Sequence, residues 1–246
     1  MSTDSLTRSL VAECLGTALL LAAVVGSGIM GDRLAGGNVA IALLANTIAT
    51  GAALVAIILA VGPISGAHLN PAVTLADASQ GGLPRRAVVP YILAQVVGAL
   101  LGVLSAHAMF GEPAFGVSQQ PRHGPAQMFS EFVATFGLLS VIWGTARSRA
   151  ATVPFAVGAY ITAACLFTGS TSFANPAVTI ARSLTDTFSG IRPADVPAFV
   201  VAQLAGGLVA TALFRWLVPA LPRAADRVVV PHENPRKDTS HAHRDL

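Results

Sequence analysis

The chain is poor in charge. Asp, Glu, Lys and Arg make up only 11% of its 246 residues, against about 25% in a soluble globular domain. Lysine occurs once, at Lys237, and aromatic residues reach only 6%. The two cysteines, Cys14 and Cys165, are too few for a disulfide scaffold. No set of His, Cys and carboxylates has metal-ligand spacing, and no nucleophile–base pair is visible. These scarcities exclude a soluble enzyme and a disordered chain, and no cofactor is implied. The net charge of +3 is a near balance of 15 basic and 12 acidic residues, with no basic cluster in the apolar part, so nucleic acid is not an expected partner. What the chain does have is apolar residues, 53% of the total, with a mean hydropathy of +0.65. That composition fits a small polytopic membrane protein.

The few charges divide the chain into uncharged runs: Cys14–Gly31, Leu34–Ala76, Ala87–Gly111, Phe132–Ala146, Ala150–Ala181 and Val196–Phe214. The order is short, long, medium, then the same again. Runs of 43 and 32 residues exceed one span, so each reads as a span plus a shorter re-entrant piece. Gly62-Pro63 interrupts the first and Thr168-Gly169-Ser170 the second, giving expected re-entrant segments from Ile64 to Ala76 and from Thr171 to Ala181. Residue landmarks repeat in the same order. Asn70-Pro71-Ala72-Val73-Thr74 recurs 105 residues later as Asn175-Pro176-Ala177-Val178-Thr179. Glu13-x-x-x-Thr17 recurs as Glu131-x-x-x-Thr135, and Ala94-Gln95 before Gly98 as Ala202-Gln203 before Gly206. Each half holds three spans, so the second lies inverted relative to the first.

Asn followed by Pro is an N-cap arrangement, with Pro at the first helical position. In two re-entrant segments of opposite polarity, both helix N-termini meet near the membrane midplane. Asn amides there offer donors to a polar solute, and the opposed dipoles repel cations. Basic residues set the orientation. With the N-terminus inside, eleven fall on the cytoplasmic side (Arg8, Arg85, Arg86, Arg147, Arg149, Arg215 and five in the tail) and three outside, at Arg33, Arg122 and Arg192. Both termini are therefore expected in the cytoplasm, with a multi-pass body in a bacterial-type plasma membrane. The first 28 residues have signal-peptide character, but Glu13 within the apolar stretch argues against cleavage. The expectation is an all-α membrane protein of six transmembrane helices plus two re-entrant half-helices. It forms a single channel domain over 1–220, with inverted three-helix repeats at about 7–111 and 127–217, and a polar, poorly ordered cytoplasmic tail over 221–246.

The run Ser65-Gly66-Ala67-His68-Leu69-Asn70-Pro71-Ala72-Val73-Thr74, the second Asn-Pro-Ala, the paired Glu residues and the Ala-Gln pairs resemble the aquaporin and aquaglyceroporin family (major intrinsic proteins), over about residues 7 to 217. The resemblance implies a right-handed bundle of six tilted helices, usually a homotetramer in membrane lipid, with a pore in each subunit for passive flow of small neutral solutes. Asn70 and Asn175 would then be the central amides. Carbonyls of Gly66, Ala67 and His68 would line one half-pore, and those of Thr171, Ser172 and Phe173 the other. Glu13 and Glu131 would support the re-entrant loops, with proton transfer as the other reading; His68 is either a loop-holding residue or a gate.

The chain departs from the family at its filter. The family's Arg three residues after the second Asn is Val178, and its position 20 before the first Asn, aromatic in narrow water channels, is Thr50. The loop position is Ser172. The fourth, on the fifth span, lies between Ile161 and Cys165, with Cys165 the candidate, because the second loop has about two extra residues. Thr179 replaces the Asp of glycerol channels. The pattern implies a wide filter and resembles a bacterial subgroup linked to arsenic resistance, which suggests glycerol-like solutes, undissociated metalloid acids such as arsenite, or methylated arsenicals. Arg182 lies four residues past Val178, about 6 Å further out and about 40° round on a helix. It is expected in the outer vestibule, drawing in anionic or polar solutes and keeping some cation barrier, or else capping the half-helix carbonyls or binding interfacial phosphate. The alternative function is a proton-coupled secondary transporter using Glu13 or Glu131.

Overall fold

A computed structural model describes residues 3–218. The tail expected over 221–246, with its basic residues, lies outside them. Among the described residues there are eight α-helices and no strand: α1 (Thr3–Leu34), α2 (Val39–Ser65), α3 (Pro71–Gln80), α4 (Arg85–Phe110), α5 (Pro125–Arg149), α6 (Val153–Phe167), α7 (Pro176–Arg182) and α8 (Val196–Leu217). Six are long and apolar enough to cross a bilayer. The ten-residue α3 and seven-residue α7 are too short to do so.

The halves pack alike. α1 lies against α4 and α2, as α5 lies against α8 and α6. The two halves join where α2 meets α6, and the half-helices cross over, α3 onto α8 and α7 onto α4. Close approach depends on glycine. A Cβ at Gly98 of α4 would strike the Cys14 carbonyl of α1, and one at Gly206 of α8 would strike the Phe132 carbonyl of α5. Small residues at helix crossings are how membrane helices gain van der Waals contact without a hydrophobic drive. The faces turned outward carry large apolar side chains such as Leu19, Leu93, Phe129 and Leu208, as lipid contact requires.

One boundary differs from the sequence expectation. Gly62-Pro63 does not end α2. The helix runs through Pro63 to Ser65, where Gly66, at φ 87°, caps it. The first re-entrant piece therefore starts later, and its half-helix continues past Ala76 to Gln80. The charge of Asp77 does not end it, because Asp77 is buried and paired with His68 at 3.4 Å.

Candidate functional site

The two Asn-Pro-Ala motifs fold as N-caps with proline in the first turn. The Asn70 side-chain oxygen accepts from the Ala72 N–H at 2.9 Å. That of Asn175 accepts from Ala177 at 3.0 Å and Val178 at 3.3 Å. Each amide nitrogen reaches across to the other half. Asn70 Nδ2 donates to the Ala174 carbonyl at 2.8 Å, and Asn175 Nδ2 to the Leu69 carbonyl at 2.7 Å. The motifs thus meet head to head, and each NH2 group keeps a second hydrogen for another acceptor.

The loops entering the half-helices repeat residue by residue. Gly66, Ala67 and Leu69 have φ of 87°, 48° and 51°; their counterparts 105 residues on, Thr171, Ser172 and Ala174, have 62°, 50° and 49°. Among the described residues, every non-glycine with positive φ lies in these two loops. Such conformations persist only where the surroundings hold them. Two buried carboxylates do so. Glu13 accepts from the N–H of His68 at 2.9 Å and of Leu69 at 2.7 Å, and from Ser65 and Gln95. Glu131 accepts from the N–H of Phe173 and of Ala174, both at 2.9 Å, and from Gln203. Gln95 and Gln203 also donate to Thr74 and Thr179, whose hydroxyls donate to the backbone of Asn70 and Asn175. These glutamines and threonines were visible in the sequence as repeat landmarks. Their shared spacing in both halves was the signal for a joint structural task.

A cavity runs along these loops between α1, α2, α5 and α6. Its lining includes Asn70 and Asn175, the four filter candidates Thr50, Cys165, Ser172 and Val178, and Ala67, His68, Thr171 and Phe173. Gly66 is not in the lining; it caps α2, and Leu69 takes the place expected for it. Ala174 joins the second half-pore in the same way. Pro71, Ala72, Pro176 and Ala177 are buried behind the cap residues. The extra length of the second loop is the turn at Thr168, whose carbonyl accepts from the Thr171 N–H.

Arg182 is 5% exposed and lines the same cavity as the filter candidates. Its guanidinium lies 3.4 Å from the centroid of the Phe173 ring, and its Nε donates to the Ser189 carbonyl. It therefore caps the following loop and not the half-helix carbonyls. The segment joining the halves brings in Arg122, 4.9 Å from the same ring centroid, with bonds to the carbonyls of Gly190 and Ser170. Burial pushes the Arg122 guanidinium below its ordinary pKa, partly offset by attraction to Glu131. Cys14 and Cys165 are free thiols.

Comparison with known proteins agrees with this geometry. The major intrinsic protein family matches residues 1–174 and again 150–241. The chain is 56% identical over 223 residues to Aquaglyceroporin AqpS of Rhizobium meliloti (strain 1021), covering 90% of this chain and 95% of that protein. It is 34% identical over 244 residues to Probable aquaporin AqpM of Archaeoglobus fulgidus, covering 87% and 98%. The X-ray structure of the aquaglyceroporin from Plasmodium falciparum shares the fold, with a TM-score of 0.69 at 22% identity over 88% of this chain and 98% of that one. The chain belongs to the major intrinsic protein family, and is a multi-pass membrane channel for water and small solutes and not an enzyme.

Proposed function

We propose that this channel has a widened filter and passes glycerol-like solutes or undissociated metalloid acids such as arsenite. The observation that carries the reading is the set Thr50, Cys165, Ser172 and Val178: all four line the cavity, and none is aromatic or cationic. A constriction of compact side chains admits solutes of several heavy atoms, where an aromatic and an Arg together would admit only water. The name of the relative AqpS, an aquaglyceroporin, supports the same reading. The Asn70 and Asn175 amides are the central donors, Glu13 and Glu131 hold the loops, and His68 is a loop-holding residue through Thr74 and Asp77. The functional unit is a single channel domain over residues 1–220, working as a homotetramer with both termini cytoplasmic. Proton coupling through Glu13 or Glu131 is disfavoured, because these carboxylates already accept four and three hydrogen bonds from the chain.

The test is stopped-flow swelling of proteoliposomes with water, glycerol, urea and arsenous acid in parallel. Fast glycerol and arsenous acid entry, unchanged when the proton gradient is collapsed, is expected. Fast water flux with glycerol excluded would overturn the wide filter.

A further inference from the structure

The pseudo-repeat relates two pairs of residues, of which His68, Phe173 and Arg182 line the cavity. His68 corresponds to Phe173 and Asp77 to Arg182, each 105 residues apart. In the first half the charge is met: His68 Nε2 lies 3.4 Å from the Asp77 carboxylate. In the second half it is not. Arg182 is 95% buried, yet among the described residues it forms no ion pair. Among the described residues, only its Nε is hydrogen-bonded, to the Ser189 carbonyl, while the terminal nitrogens have no partner there and the side chain lines the cavity. Ser189 is itself anchored, its hydroxyl donating to the Val24 carbonyl of α1 at 3.1 Å. The guanidinium is thus fixed by a ring face and a carbonyl, and Arg122 adds a second cation at the same ring. A buried charge without a counter-ion is costly and marks a functional position. A planar guanidinium with its terminal donors open suits the paired oxygens of an acid anion.

We propose that Arg182 forms a binding subsite in the cavity for the monoanion of a small oxyacid. The subsite rests on the reading of this cavity as the solute path. It makes the pore selective for charge as well as size, with the cation supplied one helical turn beyond Val178.

The test uses the full chain in proteoliposomes at pH 7, reading glycerol swelling in the presence of lactate or of its neutral isostere lactamide. Lactate is expected to inhibit glycerol entry at a concentration at least tenfold below that needed for lactamide. Arg182→Gln should bring the two inhibitors to within about twofold of each other. Arg182→Lys, which keeps the charge and loses the fork, should narrow the difference at least threefold, and it carries the test if Arg182→Gln yields no flux. Equal potency of lactate and lactamide on the wild type, or an unchanged difference in both variants, would overturn the subsite. Absence of glycerol flux in the wild type would instead sink the channel reading on which it rests.

Discussion

Val178 presents an isopropyl group to the cavity, and its neighbour by one turn, Arg182, carries the nearest cation on the half-helix. An arginine at 178 would add a long side chain and a second buried charge to the same lining. Val178→Arg is therefore expected to cut glycerol permeability more than tenfold while water flux falls less, as read by parallel swelling assays. Buried carboxylates act at the same scale. Glu13→Gln replaces an acceptor oxygen by an NH2 group facing donors that include the backbone N–H of His68 or Leu69. At least one donor is then left unpaired inside the bundle, at a cost of about 1–3 kcal/mol. A lower melting temperature in detergent is the expected outcome, with Glu131→Gln behaving alike because its bonds repeat those of Glu13. The repeat spacing located both glutamates, and the family resemblance singled out Val178. It did not locate Ser189 or Phe173 as the holders of Arg182, because those contacts join a loop and a ring to a guanidinium and leave no periodic trace.

Helix crossings depend on backbone proximity. Gly98 and Gly206 sit at equivalent places on α4 and α8, and at each a methyl group would meet a carbonyl of the facing helix. Gly98→Ala and Gly206→Ala should each destabilise the bundle by about 1–3 kcal/mol through forced separation. Gly207→Ala is the control, since its nearest neighbour would lie at an ordinary 3.7 Å. Thermal melts followed by size-exclusion chromatography of the detergent-purified protein would separate the two classes. The half-helices were legible as capped segments from Asn-Pro, and the end of the second to within a residue, but not the bounds of the first. α2 continues through Pro63, and α3 runs past Asp77, since the Asp77 charge is met by His68 from the preceding loop. A breaker or a charge marks a boundary only when no tertiary partner absorbs it.

Across the whole molecule, six crossings require both ends of the membrane body to lie on the same side. The basic residues, concentrated at the two ends of the chain, are expected to place that side in the cytoplasm. A reporter fused at either terminus should be active only in its cytoplasmic form, and a periplasmic reporter active at the C-terminus would reverse the orientation. The sequence by itself determined the class, the duplication and the meeting of two capped half-helices, because scarcity of charge, uncharged run lengths and a twice-written motif are properties of order along the chain. Only the tertiary structure decided what surrounds the pore. It put Leu69 and Ala174 in the lining, made each Asn amide bond the opposite loop, and turned Arg182 inward against Phe173. Those outcomes depend on which backbone carbonyls and ring faces the inverted halves bring together, and that proximity exists only once the two halves have packed.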